Sequence, residues 1–569
     1  MEYSLLANYY EKLENVSAKL KKTEILVELF KKADEEELPK IVLLLQGIVY
    51  PKYTQLELGI ATQMMIRAIS KATGFKSEEI EKKFAKLGDL GLVTEECVKS
   101  RKQAVLLKKK LTLGFVFENL CKLATITGEG SQEKKLNLIA ELIVSADPKE
   151  ARYIVRTILG ELRIGVAEGL MRDAIVQAFL IKESMSKEEK LEAAQAVDYA
   201  WNIVSDFGEV ARIARKEGIG GLKKVKVKIG RPIQVMLGEK AENIEEVIKE
   251  FGKIAAEYKY DGMHAEIQKK GEKIWVYTRR LEDVTKQFPD IVDICRKGLR
   301  AKECIVEGEV LAINPKTGLP LPFQTLSQRI HRKYGIEKIV KEIPVQLNLF
   351  DVVYLEEKAL FNKSFFERRK TLEKIVKEIP GKLQLAKQII TSDVKEVEKF
   401  YKEALDAKQE GLMLKVLNSP YVFGRHVGTM YKIKPMMETL DLVVVGATWG
   451  EGARANWLTS FELACRDPDT GKFLRCGMMS TGLTEEEYQQ MTEILKPLII
   501  EERGKSVKVR PKVVIEVGYQ EIQKSPNYES GFALRFPRFL RDRTIDKSPE
   551  EADTIERVKS LFESQGKAG

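Results

Sequence analysis

The chain has 569 residues, 44% of them hydrophobic and 32% charged. It is too long for one ordinary domain of roughly 100–200 residues and too apolar to be disordered throughout. Its 95 basic and 85 acidic residues leave a formal charge of +10, which permits a polyanionic partner without demanding one. Six cysteines with no Cys-x-x-Cys pair, and only three histidines, argue against a zinc site, a disulfide framework or a Ser-His-Asp triad.

The opening MEYSLLANYYEKLENVSAK lacks the basic and apolar regions of a secretory signal. No apolar run approaches the roughly 18–20 residues that span a bilayer, so a soluble cytoplasmic chain is expected. The high charge with few cysteines hints at a hot-living source, where ion-pair networks are favoured. Residues 1–222 read as helical, with apolar side chains three and four apart in LLANYYEKLENVSAKLKKTEILVELFKKA and KKLNLIAELIVSA. Turn clusters at Thr127–Gln132 and Asp147–Pro148 interrupt them. Basic residues gather at Lys108–Lys110 and at Lys223, Lys224, Lys226 and Lys228; a solvated face explains such runs by itself. With no catalytic pattern, this region is expected to be an all-α binding domain.

The period then changes. Over residues 223–435, AEIQKKGEKIWVYTRR reads as two strands joined at Gly271, and IVEGEVLAIN, VQLNLFDVVYL and EGLMLKV as further strands. Helical stretches such as KSFFERRKTLEKIVKEI lie between them. This predicts an α+β domain. Residues 436–569 hold several short, glycine-punctuated strands, LDLVVVGATWG to KVVIEVGYQEI, and predict a small β-barrel.

The informative residues are charged groups placed against apolar strands. Lys259-Tyr260-Asp261-Gly262 comes first, followed in order by Arg279-Arg280, Glu307-Gly308-Glu309, Phe350-Asp351, Glu410-Gly411 and Lys432-Ile433-Lys434. Such groups are costly to bury unless a ligand, a metal or an opposite charge accompanies them. A lysine nucleophile, phosphate-binding cations, carboxylates for a metal and an aromatic for a base make an inventory for nucleotide chemistry.

This ordered set resembles the covalent nucleotidyltransferases, and specifically the ATP-dependent DNA ligases of the archaeal and eukaryotic replicative type. GEGSQEKKLNLIAELI and ELRIGVAEGLMRDAIVQAF resemble that family's DNA-binding domain, and ALRFPRFLRDRTIDKSPEEADT its final motif. The resemblance implies a helical DNA-binding domain, an adenylation domain and a C-terminal OB-fold barrel. It implies that Lys259 becomes adenylated by ATP, that Glu257 accepts from the adenine amino group, and that Phe350 stacks on the base. Arg279, with Arg280 beside it, would position phosphate and ribose; Glu309 and Glu410 would contact the ribose and hold Mg²⁺. Lys432 and Lys434 would face the phosphates, with Arg425 a further phosphate contact, and Arg543 and Lys547 would orient the departing pyrophosphate.

Three departures stand out. The family pattern continues K-x-D-G-x-Arg, but here the last position is His264, either a weakened or rerouted ribose contact or a filled core position. The final motif, Arg543-Thr544-Ile545-Asp546-Lys547, is one residue longer than Arg-x-Asp-Lys, leaving open which arginine serves it. FGRHVGTMY before the paired lysines lacks the usual tryptophan.

The implied partner is nicked duplex DNA, held through its backbone without base reading. Pro435–Thr439 is the expected hinge for the barrel. A monomer associated with the nucleoid is expected. A sliding-clamp contact is implied by the resemblance, although Lys102–Phe117 contains Gln103 without a glutamine-to-paired-aromatic motif and reads equally as a basic loop. An RNA ligase or capping guanylyltransferase shares the lysine chemistry but lacks the helical domain. An NAD-dependent ligase would bring a four-cysteine zinc module. A non-enzymatic nick-binding protein would leave Lys259, Glu309, Glu410, Lys432 and Lys434 without a role.

Overall fold

A computed structural model describes residues 1–569 apart from 59, 102–109, 242, 322, 331, 333, 426–427, 435–438, 452–453, 545–546 and 566–569, and apart from the side chains at 324, 425 and 565. Gln103, His331, the Arg425 side chain, most of the expected hinge and the Ile545-Asp546 pair therefore lie outside the described residues. The chain falls into two compact units, Met1–Val397 with Met413–Lys432, and Glu398–Leu412 with Ile433–Gly569. Among the described residues no helix is long and apolar enough to cross a membrane.

The N-terminal region is helical from Tyr3–Glu14 to Phe207–Lys223. The three- and four-residue spacing of LLANYYEKL buries Leu6, Tyr9, Tyr10 and Leu13 on one stripe. Asp147–Pro148 is a helix start: Asp147 and Glu150 form a capping box, Pro148 takes the first turn, and Gly160 closes the helix at φ +71°. The Tyr10 and Tyr153 rings meet at 5.1 Å in the core. Buried Arg156 is satisfied by Asp89 at 2.6 Å and Glu14 at 2.8 Å, because an unpaired guanidinium there would be costly. In the connecting segment Val225, Val227 and Ile229 are half-buried while Lys224, Lys226 and Lys228 are exposed. That alternation matches the solvated-face reading of the lysine run.

The central strands are β1 (Met236–Leu237), β2 (Glu239–Lys240), β3 (Ile254–Lys259), β4 (Met263–Lys270), β5 (Lys273–Thr278), β6 (Glu303–Ala312), β7 (Val345–Leu355), β8 (Lys358–Ala359), β9 (Leu383–Leu385), β10 (Gln388–Thr391), β11 (Gly411–Val416), β12 (Gly424–Arg425) and β13 (Met430–Ile433). They form two main sheets, ordered β5-β4-β6-β7-β8 with β9 on β7, and β10-β3-β11-β13-β2. The expected hairpin turns at Gly271, φ +58°. One face of the first sheet, with Ala265, Ile267, Val306, Val310, Leu347, Leu349 and Val352, closes onto Ile291, Cys295 and Leu372.

The C-terminal strands are β14 (Thr439–Trp449), β15 (Leu458–Arg466), β16 (Phe473–Met479), β17 (Ile499–Arg503), β18 (Ser506–Gly518), β19 (Glu521–Lys524), β20 (Phe532–Arg535) and β21 (Arg538–Asp542). The order β16-β15-β14-β18-β17, with β21 on β18, is antiparallel throughout. Leu440, Leu442, Phe461, Leu463, Ile515 and Val517 fill its core, closed by Val558 and Leu561 of the helix Ile555–Gln565.

Candidate active site

Lys259 ends β3 and is half-buried. The chain then turns through Tyr260, Asp261 and Gly262 into β4. A Cβ at Gly262 would lie 2.3 Å from the Val310 carbonyl oxygen and 2.9 Å from Glu309 Cγ. Glycine therefore lets the turn lie directly against the strand that carries Glu309. The turn is held from the other side, where the Lys387 N–H donates to the Tyr260 hydroxyl at 3.0 Å.

Opposite the hydrophobic face, the β5-β4-β6-β7 sheet presents a polar one. Cross-strand register places His264, Glu309 and Asn348 in one row, and Glu266, Glu307 and Asp351 in the next. Directly paired residues share a face. Register also shifts between Glu307↔Asp351 and Gly308↔Leu349, so Phe350 has no partner across the pair. A bulge of this kind re-aims a side chain, and Phe350 is half-exposed between two buried neighbours.

Such a face is stable only if its charges are answered. Arg368 donates to both Asp351 oxygens, Nε at 2.8 Å and Nη2 at 2.9 Å, and both residues are buried. Burial, and then the Asp351 charge, pushes Glu307 up to about 7, although the Tyr421 hydroxyl donates to it at 2.6 Å. Burial likewise raises Glu266 to about 8, against a hydrogen bond from Gln268 Nε2 at 2.6 Å. His264 is pushed down to about 4, first by burial and then by Arg279 and Lys415, so its imidazole is neutral at pH 7. Its ring lies 5.8 Å from Phe350.

Glu257, buried on β3, sits in a cage of donors from three other elements. Arg369 Nη1 (3.2 Å) and Gln388 Nε2 (2.8 Å) meet Oε1, and Lys415 Nζ meets Oε2 at 2.7 Å. The Lys415 ammonium lies 4.5 Å from the Phe350 ring centre and 4.6 Å from that of Phe365, an arrangement favourable for a desolvated cation. Lys415 thus lies against both Glu257 and Phe350. Sequence reasoning missed Lys415, Arg369, Gln388 and Asn348. Lys415 was signalled by a cation inside the apolar run GLMLK, and Arg369 by the paired arginines of FFERRK.

Arg279 and Arg280 are exposed in the turn after β5. Both line a cleft of about 800 Å³ shared with Tyr50, Tyr53, Trp201 and Phe207 of the helical region. Lys259 does not line this cleft, yet Arg279 is close enough to depress His264. Lys432 lies on β13, half-buried.

In the second unit, Glu410 pairs with Lys434 at 2.5 Å. Gly411, φ +139°, has the Ile433 carbonyl oxygen 2.1 Å from where a Cβ would sit. Lys547 bonds Asp441, and Arg543 Nη1 lies 4.0 Å from Asp441 and 3.5 Å from Glu516. Arg541 instead bonds Glu516 at 2.6 Å from a more exposed position. Of the two arginines, Arg543 is therefore the one that shares an acid with Lys547. Among the described residues no three His, Cys, Asp or Glu side chains are grouped to hold a metal.

Three family descriptions match in order along the chain: DNA ligase N terminus over residues 2–176, ATP dependent DNA ligase domain over 235–434, and ATP dependent DNA ligase C terminal region over 454–546. The chain is 49% identical to a DNA ligase of Nanoarchaeum equitans, covering 99% of both chains. It is 45% identical to one of Thermococcus onnurineus (99% and 98% covered) and 44% identical to one of Archaeoglobus fulgidus (99% of both). Among solved structures, Pmar-Lig_Pre. shares the fold at a TM-score of 0.58 and 17% identity, over 95% of this chain and 99% of that one. With the three regions in sequence and relatives aligned from end to end, the chain belongs to the ATP-dependent DNA ligases, enzymes that use ATP to seal nicks in duplex DNA.

Proposed function

We propose that Lys259 is the residue that ATP adenylates, within an adenylation domain spanning 223–435, between a DNA-binding domain at 1–222 and an OB-fold domain at 436–569. The observation that carries this reading is the setting of Lys259: it ends the strand bearing the caged Glu257, and its glycine turn lies against Glu309. The deprotonated amine attacks the α-phosphorus of ATP. A P–N bond forms as the P–O bond to pyrophosphate breaks, and the amine loses a proton.

Glu257 accepts from the adenine amino group. Its three donors occupy three of roughly four acceptor positions on a carboxylate, leaving one. Phe350, turned out by its bulge, stacks on the base, which contributes roughly 1–3 kcal/mol. His264, Arg279 and Arg280 face ribose and phosphate, and Lys432, Lys434 and Arg425 face the phosphates. Arg543 and Lys547 orient pyrophosphate.

Glu309 and Glu410 are the carboxylates for Mg²⁺. Mg²⁺ prefers oxygen ligands and is commonly held by one or two carboxylates together with substrate phosphates. When bound, it neutralises charge on the transferring phosphoryl oxygens. AMP then passes to the 5′-phosphate at a nick, returning a proton to Lys259, and the 3′-hydroxyl displaces AMP. DNA is gripped through its backbone by a monomer in the nucleoid. A sliding clamp binds the N-terminal region.

Mass spectrometry after exposure to ATP and Mg²⁺ tests this. An AMP-sized increment on the Lys259 peptide is expected, absent in Lys259→Ala; an adduct that survives the substitution refutes the assignment. Ligation confined to RNA, or adenylation by NAD alone, would favour the rival enzymes.

A further inference from the structure

The polar row beside Lys259 contains two side chains with hydrogen-bonding capacity left over. Asn348 is 1% exposed. Its Oδ1 accepts from Gln346 Nε2 at 2.8 Å, and Gln346 Nε2 is also held by Gln384 Oε1 at 3.1 Å. Asn348 Nδ2, with two N–H groups, has no hydrogen-bond partner among the described residues. Across Glu309 in the same row, His264 Nδ1 is likewise buried without one. Its Nε2 lies 4.0 Å from Glu307, beyond hydrogen-bond reach.

A buried polar atom left unspent is costly, so two flanking one carboxylate call for a ligand that spends them. The amide is fixed from behind by Gln346, itself held by Gln384, so its free nitrogen cannot turn away cheaply. Adjacent hydroxyls fit the row. Each hydroxyl oxygen accepts from a donor while its proton goes to an acceptor. Asn348 supplies the donor, Glu309 the acceptor, and the neutral His264 either. A phosphate oxygen has no proton to give Glu309, whereas a hydroxyl has one.

We propose that Asn348 is a specificity-determining residue which, with His264, reads the ribose hydroxyls of the incoming nucleotide on either side of Glu309. This rests on the assignment of Lys259 as the adenylated residue. Neither side chain takes part in the bond-making step; both act on binding.

The test measures formation of the AMP adduct with ATP, 2′-deoxyATP and 3′-deoxyATP, in the unaltered enzyme and in Asn348→Leu. The unaltered enzyme should prefer ATP over at least one deoxynucleotide by about 3- to 10-fold in kcat/KM, the span of one neutral hydrogen bond. In Asn348→Leu that ratio should fall towards 1, through KM and not kcat. Gln346→Leu, at a half-buried position, loosens the anchor and should move the ratio the same way by less, so the idea remains testable if Asn348→Leu does not fold. An equal loss with ATP and both deoxynucleotides would show a structural role and overturn the proposal. So would an unaltered enzyme indifferent to the sugar. Absence of any adduct on Lys259 would instead overturn the functional reading beneath it.

Discussion

Replacing Arg368 by methionine should destabilise the strand that aims Phe350. The guanidinium makes two parallel bonds to Asp351, at 2.8 and 2.9 Å, and a third to the Lys363 carbonyl at 2.7 Å. Methionine approximates the stem but leaves Asp351, 1% exposed, with its charge unanswered beside Glu307. Removing one partner of a buried pair costs about 3–5 kcal/mol. For a region of this size that lowers the melting temperature by about 6–20 °C. The double variant Arg368→Met with Asp351→Asn removes the stranded charge and should recover at least half of the loss. Calorimetry of both variants, following the transition that moves, gives the coupling directly. A single variant that loses under about 1 kcal/mol, or a double no better than the single, would refute the clamp. Because Phe350 adjoins Asp351, the KM for ATP in adduct formation should rise in the single variant and fall back in the double.

Gly262→Ala places a Cβ 2.3 Å from the Val310 carbonyl oxygen; the displaced turn should slow adduct formation about 10- to 100-fold, and a rate near that of the unaltered enzyme would contradict the close approach. His264 titrates at about 4 instead of 6.5. A depressed histidine contributes stability that is fully present above 6.5 and is lost as pH falls from 6.5 towards 4, here about 3 kcal/mol. Melting curves between pH 7 and pH 4 should therefore fall more steeply in the unaltered protein than in His264→Gln, and parallel curves would count against the burial. Binding to nicked duplex should weaken linearly in log salt, with a slope of about −0.9 per phosphate contacted, and should ignore base sequence; a salt-insensitive or sequence-dependent affinity would rule out a backbone grip.

The strands around the site were legible because apolar alternation is a local signal. VQLNLFDVVYL is β7 from end to end, and the turn at Gly271 falls between β4 and β5. The nucleophile candidate and the order of charged residues were equally legible, since a lysine turn ending in glycine depends on a few adjacent positions. Asn348 was not. In sequence it is one polar residue in an apolar run, and only its pairing with Glu309 across β6 and β7 gives it a role. Arg369 reaches Glu257 across 112 positions of chain, a contact that no local pattern encodes.

Read from the sequence alone, the charge of +10 over 569 residues left the partner open. The chain's periodicities determined three regions of different secondary structure, and its motif order pointed to lysine-based nucleotide transfer. Tertiary structure decided which charges answer one another: Arg368 neutralises Asp351 and Lys415 neutralises Glu257, while His264 and Asn348 keep hydrogen-bonding atoms to spare. Period-two alternation says which face of a strand a side chain takes. Register and bulges, set by pairing between distant segments, say which side chain it meets there.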